Sequence, residues 1–187
     1  MISAVLDACV LYSAPLRDFL FRLAFAGLLL PFWSEEIQDE WMRNLLRNRL
    51  DLKKEKLERT CREMEFHFPN GLVREYESIT PTLELPDPND RHVLAVAIHA
   101  KAKYIVTFNL SDFPKSVLAP YQVEAISPDD FVLRVIELDA ELFIETVAKH
   151  RGVLFRPALS VNAYLATLEK QGLSQTVAFL RSHAAAL

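Results

Sequence analysis

DPNDRHVLAVAIHAKAKYIVTFNLSDF, residues 87–113, changes its hydrophobic period once, and that change sets the fold. Val93, Leu94, Ala97 and Ile98 recur at the spacing of one helix face. Tyr104 to Phe108 is then a short apolar, β-branched run, and Asn109 to Asp112 a polar turn. The order is helix, strand, loop. If the strand is parallel and central, its C-terminal end opens on the sheet edge where α/β proteins place ligands, and Asp112 sits there just past the strand.

Outward toward the N-terminus, the order begins with a strand and a helix. Ile2 to Leu6 reads as a short buried strand ended by Asp7, and Leu16, Phe19, Leu20 and Leu23 give the inner face of a helix after Pro15. Pro31 is expected to stop that helix, and Phe32-Trp33 is a candidate second strand. Asp7, Arg17, Asp18 and Arg22 interrupt the apolar residues, no basic segment precedes them, and no run reaches the ~18 apolar residues of a spanning helix. The expectation is no membrane span. Ser34 is an N-cap, with Glu35 and Glu36 in the first turn and Ile37, Trp41 and Leu45 as the buried stripe. Glu40 lies beside that stripe and alone reads as a solvated face residue. Asp7 alone reads equally as an Asx turn or helix cap.

At 187 residues, 51% hydrophobic and with only 4 Gly, the chain suits one compact domain with a small helical appendage. A formal charge of −4 excludes a uniformly basic nucleic-acid binder but not a local patch. One patch exists: residues 41–62 carry eight Lys or Arg against three acids, with Arg43, Arg47, Arg49 and Lys53 as candidate phosphate contacts. Glu–Lys pairing on exposed helices accounts for the same residues without RNA. Cys9 and Cys61 make neither metal-ligand spacing nor a disulfide framework, as suits a reducing cytoplasm.

Asn70-Gly71 marks a turn, and Gln122 to Ala125 a last short strand. Ser127-Pro128-Asp129-Asp130 starts a helix, with Ser at the N-cap, Pro at N1 and acids in the first turn. Beyond it runs helical periodicity broken near Gly152, Pro157 and Gly172, in which six basic residues balance six acids from Asp130 onward. There is no repeat, low-complexity run or glycine-rich phosphate loop.

The acids make a pattern together that none makes alone. Asp7 after the first strand, Glu40 in a helix, Asp90 opening a helix and Asp112 after a later strand converge at one edge of a doubly wound sheet. Carboxylates ~4 Å apart repel by about 1 kcal/mol per pair even at water-like dielectric, so such a cluster calls for protons or cations. With hard oxygen donors only, and no His or Cys at metal spacing, the expected ion is Mg²⁺ or Mn²⁺.

VLDACVL around Asp7, EEIQDEWMRNL around Glu40, DPNDRHVLAVAI around Asp90 and the closing IVTFNLSDFP resemble the PIN-domain ribonucleases, which include VapC-type toxins of bacterial toxin–antitoxin pairs. The resemblance covers about residues 1–130. It implies an α/β/α fold, a parallel sheet flanked by helices, with residues 131–187 as a C-terminal helical extension. It also implies that Asp7, Glu40, Asp90 and Asp112 bind metal, that Thr107 and Asn109 support them through hydrogen bonds, and that Asp87 is a nearby variable acid. The implied activity is hydrolysis of RNA by metal-activated water, leaving 5′-phosphate and 3′-hydroxyl ends. Implied partners are RNA, a small antitoxin and a second copy of the chain in a homodimer. His92 beside Asp90 reads as an exposed helix histidine rather than a proton shuttle.

Other classes fit less well. A haloacid-dehalogenase-like phosphatase wants a second Asp two positions after Asp7, where this chain has Cys9. A response-regulator receiver gives no reason for the Asp90 and Asp112 patterns. A PIN-fold RNA-binding or interaction module with weak or no catalysis is the remaining alternative, and a metal-dependent cleavage assay separates it from a nuclease.

Overall fold

The computed structural model describes residues 1–154 and 159–187; the helix break expected at Pro157 lies outside the described residues. Strand β1 (Ile2–Leu6) leads through a four-residue helix, α1 (Ala8–Leu11), into α2 (Ala14–Phe25). Strand β2 (Leu29–Phe32) is followed by α3 (Glu35–Asn48) and α4 (Lys54–His67). Helix α5 (Arg91–His99), strand β3 (Tyr104–Val106), the short α6 (Lys115–Leu118) and strand β4 (Glu124–Ile126) come next. Four helices follow: α7 (Pro128–Leu138), α8 (Ala140–Leu154), α9 (Val161–Glu169) and α10 (Ser174–Ser182).

The sheet order is β2-β1-β3-β4. β3 pairs in parallel with both neighbours, Leu6 standing opposite Val106 and Val106 opposite Ile126. The chain thus leaves β1 for one side of the sheet and returns on the other. The order reverses between β1 and β3, and the crevice outside the C-terminal ends of such strands is where open α/β sheets bind ligands. A parallel sheet with flanking and C-terminal helices is the fold class the sequence led us to expect.

Two compact units are resolved: one comprises residues 3–12 and 31–126, the other residues 1–2, 13–30 and 127–187. In the first, Trp33 and Trp41 are fully buried. Trp33 bridges to Leu72, and a Cβ on Gly71 would fall 2.5 Å from the Trp33 ring, so the Asn70-Gly71 turn needs glycine for this close approach. In the second, Phe19 meets Phe143 edge-on at 6.3 Å between centroids. There the buried His150 bridges Asp18 (Nε2 to Oδ2, 2.8 Å) and the Tyr164 hydroxyl (2.9 Å), tying α2, α8 and α9 together with satisfied polar groups.

Two expected boundaries move. Pro31 does not stop the first helix: α2 ends at Phe25, the chain turns at Gly27 with φ +78°, and Pro31 lies inside β2. β2 is an edge strand, and an edge tolerates a residue with no N–H to donate. The last strand begins two residues later than expected, because Gln122 takes a left-handed φ of 58° and closes the preceding turn.

The Ser127 cap forms as expected, its Oγ accepting the Asp130 N–H at 3.1 Å. Asp129 does more than favour its own helix dipole. Its buried carboxylate accepts the N–H groups of Gln175 and Thr176 at 2.8 and 2.9 Å and the Thr176 and Ser174 hydroxyls at 2.7 and 3.3 Å, capping α10 from α7.

Candidate functional site

The register of the parallel pair decides the centre of the site. With Leu6 opposite Val106, the next residues on each strand, Asp7 and Thr107, emerge side by side at the C-terminal edge, and both are buried. Thr107 Oγ1 donates to Asp7 Oδ2 at 2.7 Å, and the Cys9 thiol donates to the same oxygen at 3.1 Å. The Ala8 N–H donates to Oδ1 at 2.6 Å, so Asp7 is also the helix cap that its position allowed. Asn109 contributes its backbone N–H, donated to Thr107 Oγ1 at 3.0 Å, which orients the hydroxyl toward Asp7.

Three donors stabilise the charged form of Asp7, yet its pKa is raised. Burial outweighs the bonds from Thr107, Cys9 and Ala8, and the Glu40 carboxylate adds to the rise. The Cys9 thiol is pushed up to about 12, by burial first and by the Asp7 charge second, so it acts as an S–H donor and not as a thiolate.

Asp90 opens α5 at the same edge. Its pKa is pushed up to about 6, by burial first and then by the charges of Asp7, Asp87, Asp112 and Glu40. Asp87 Oδ1 accepts the Asn89 N–H at 2.9 Å, and Asp112 is half-buried in the turn after β3. Among the described residues no group of three or more His, Cys, Asp and Glu side chains stands as a ready-made metal cage.

His92 corrects an expectation. It is buried, 4% exposed, with Nδ1 3.8 Å from Glu36 Oε2 and Nε2 3.6 Å from Glu40 Oε2. The signal for this was present: Val93 to Ala97 is apolar on every side, and a helix apolar all round is a buried one. Cys9 gave no comparable sign, since its role depends on β3 lying beside it.

The basic stretch divides between α3 and α4. Arg49 pairs with Asp51 at 2.7 Å, Lys54 with Glu58 at 3.1 Å and Arg59 with Glu63 at 2.9 Å, all in solvated positions. Arg43, Arg47 and Lys53 are exposed. Arg43 and Arg47 follow Glu36 and Glu40 along one helix face, one and two turns beyond Glu40.

No described helix is long and apolar enough to cross a membrane. No solved structure matches the chain. A family model described as "VapC50 C-terminal domain" matches residues 128–182. The chain is 52% identical over 52 residues to a Mycobacterium tuberculosis protein named "Putative ribonuclease VapC50"; the match spans 28% of this chain and 31% of that protein. The model described as "PIN domain" matches residues 3–111, more than half of the chain, a span that includes Asp7, Glu40 and Asp90 and ends one residue before Asp112, and the chain therefore belongs to the PIN-domain family.

Proposed function

We propose that the protein is a divalent-metal-dependent endoribonuclease of the PIN type, the toxin of a toxin–antitoxin pair, with Asp7, Glu40, Asp90 and Asp112 as the metal-holding acids. The observation that carries this is the buried Asp7 held beside Thr107 just past the paired ends of β1 and β3, with the charges of Asp7, Asp87, Asp112 and Glu40 all raising the Asp90 pKa. The donor set suits Mg²⁺ or Mn²⁺, being all hard oxygen. A bound ion supplies positive charge to the cluster and Lewis acidity to a scissile phosphate. Asp7 is held rigid for that role by Thr107, Cys9 and Ala8, while Asn109 fixes Thr107. Residues 131–187 are the extension to a nuclease domain of residues 1–130.

Chelation is the direct test. RNA cleavage by the purified chain is expected to stop in EDTA, to return with Mn²⁺ or Mg²⁺, and to leave 5′-phosphate ends. Cleavage that persists in excess chelator, or 2′,3′-cyclic phosphate ends, would overturn the mechanism. Metal-dependent RNA binding without cleavage would make the protein a binding module instead. The toxin assignment expects growth arrest on cytoplasmic expression, relieved by a short open reading frame beside the gene. A homodimer is expected by analogy with the VapC group.

Arg43 and Arg47 are the better candidates to contact RNA phosphates, a reading supported by their continuing the Glu36–Glu40 face and by their standing, among the described residues, outside the surface ion pairs that hold Arg49. Lys53 is a more distant candidate. Replacing Arg43 and Arg47 with Gln should weaken RNA binding and lower the salt slope by about 1.4, at roughly 0.7 per single-strand phosphate contact. An unchanged slope returns the basic face to a solubilising role.

A further inference from the structure

We propose that His92 is a positioning residue for Glu40, its buried ring fixing the carboxylate at the acidic edge so that Glu40 can take part in holding the divalent ion. The proposal rests on the metal-binding reading above and adds to it a residue outside the acid set. A buried histidine in a helix that is otherwise apolar has a desolvation cost to explain, and Nδ1 is buried without a hydrogen-bond partner. The groups facing it are two carboxylates of α3 one turn apart, Glu36 at 3.8 Å and Glu40 at 3.6 Å.

The two carboxylates differ in what else holds them. Glu36 is anchored from behind by the buried Tyr76, whose hydroxyl donates to Glu36 Oε2 at 3.3 Å. Among the described residues Glu40 has no such anchor; it is one-third exposed, and its charge, unlike that of Glu36, is among those that raise the pKa of both Asp7 and Asp90. Tyr76, Glu36, His92 and Glu40 therefore form a line that starts in the core and ends at the site. A long Glu side chain on a helix samples several rotamers when free, and a polar neighbour that selects one lowers the entropy lost when an ion binds. Groups that orient metal-binding side chains typically contribute about 10-fold or more to affinity.

Mn²⁺ titrations without RNA, followed by calorimetry, test this on the wild-type chain, Glu40→Gln, His92→Leu, His92→Gln and the double variant His92→Leu/Glu40→Gln. His92→Leu should weaken Mn²⁺ binding about 10-fold. His92→Gln, which keeps a side-chain donor, should recover most of that loss. In the Glu40→Gln background His92→Leu should change nothing further, because the residue it positions is gone. If His92→Leu does not fold, Glu36→Ala, at an exposed position on the other side of the ring, should weaken Mn²⁺ binding in the same direction. The proposal is overturned if Glu40→Gln weakens Mn²⁺ binding while His92→Leu or Glu36→Ala leaves it within about twofold, or if the His92→Leu effect persists without Glu40. A wild-type chain that fails to bind Mn²⁺ at all would overturn the metal-site reading itself, a result distinguishable from the others.

Discussion

Asp90→Asn is expected to melt about 2–4 °C higher than the wild-type chain in EDTA at pH 7.5, and to hydrolyse RNA at least about 100-fold more slowly in Mn²⁺. The stability half follows from the raised pKa. The Asp90 carboxyl titrates at an ordinary 3.8 when unfolded and at about 6 when folded, so the folded chain holds its proton more tightly. Below pH 3.8 the group is protonated in both states and costs nothing. Between about pH 4 and 6 the unfolded state ionises first, the wild-type chain loses stability, and above the folded pKa the whole penalty is present. Solvent screening at a half-exposed group holds it to about 1 kcal/mol, or 2–4 °C for a chain of this length. Asparagine cannot ionise, so the gain should vanish at pH 4. The activity half follows from the same charge, since the group that destabilises the empty cluster is one that a cation neutralises. The variant should accordingly lose most of the wild-type stabilisation by Mn²⁺. Asp112→Asn is expected to lose cleavage and metal response likewise. Thermal melts across pH with EDTA and with Mn²⁺, beside a cleavage assay, decide the matter. A variant that melts lower in EDTA yet responds normally to Mn²⁺ would remove Asp90 from the site and make it a structural cap.

Asp129→Ala should be the most destabilising loss of a single polar side chain, at about 2–4 kcal/mol and roughly 5–15 °C in melting temperature. The carboxylate accepts four hydrogen bonds from the first turn of α10, two of them from backbone N–H groups that have no partner within the helix. Bonds to a charged acceptor exceed neutral ones, and Thr176, fully buried, would keep a donor with nothing to receive it. Asp130→Ala is the control: its carboxylate, on the exposed side of the same turn, accepts from Ser127 and the Gln175 side chain and should cost about 1 kcal/mol or less. Equal melting temperatures for the two variants would show that the α7–α10 cap contributes nothing beyond surface polarity.

What could be read from the sequence was what period and capping encode. β1, the Ser34 cap and Ile37-Trp41-Leu45 stripe of α3, the α5–β3 pair and the Ser127 cap all follow from residues within one or two turns of each other. Asp7 and Asp90 could be assigned to element ends and Asp112 to the turn after β3, whereas Glu40 lies inside α3 and local pattern gave it no such mark. What stayed hidden depends on partners distant in the chain. The neighbours of His92, Glu36 and Glu40, lie on α3 more than 50 residues earlier, and Asp129 caps a helix that begins 45 residues later. Asp18 meets His150 across 132 residues. Pro31 marked the end of regular structure by its missing donor, and nothing local revealed that β2 would lie at a sheet edge where that donor is not needed.

The strand order β2-β1-β3-β4 also sets a timetable on the ribosome. Asp7 is made before its hydrogen-bonding partner Thr107, which is added 100 residues later, with Asp112 later still. At about 5–20 residues per second, the nascent chain carries an unfinished site for roughly 5–20 s, and no shorter fragment can pair β1 with β3. The Asp7–Thr107 bond therefore cannot form until β3 has been translated, and translation that stalls before β3 releases a product without the central strand pair.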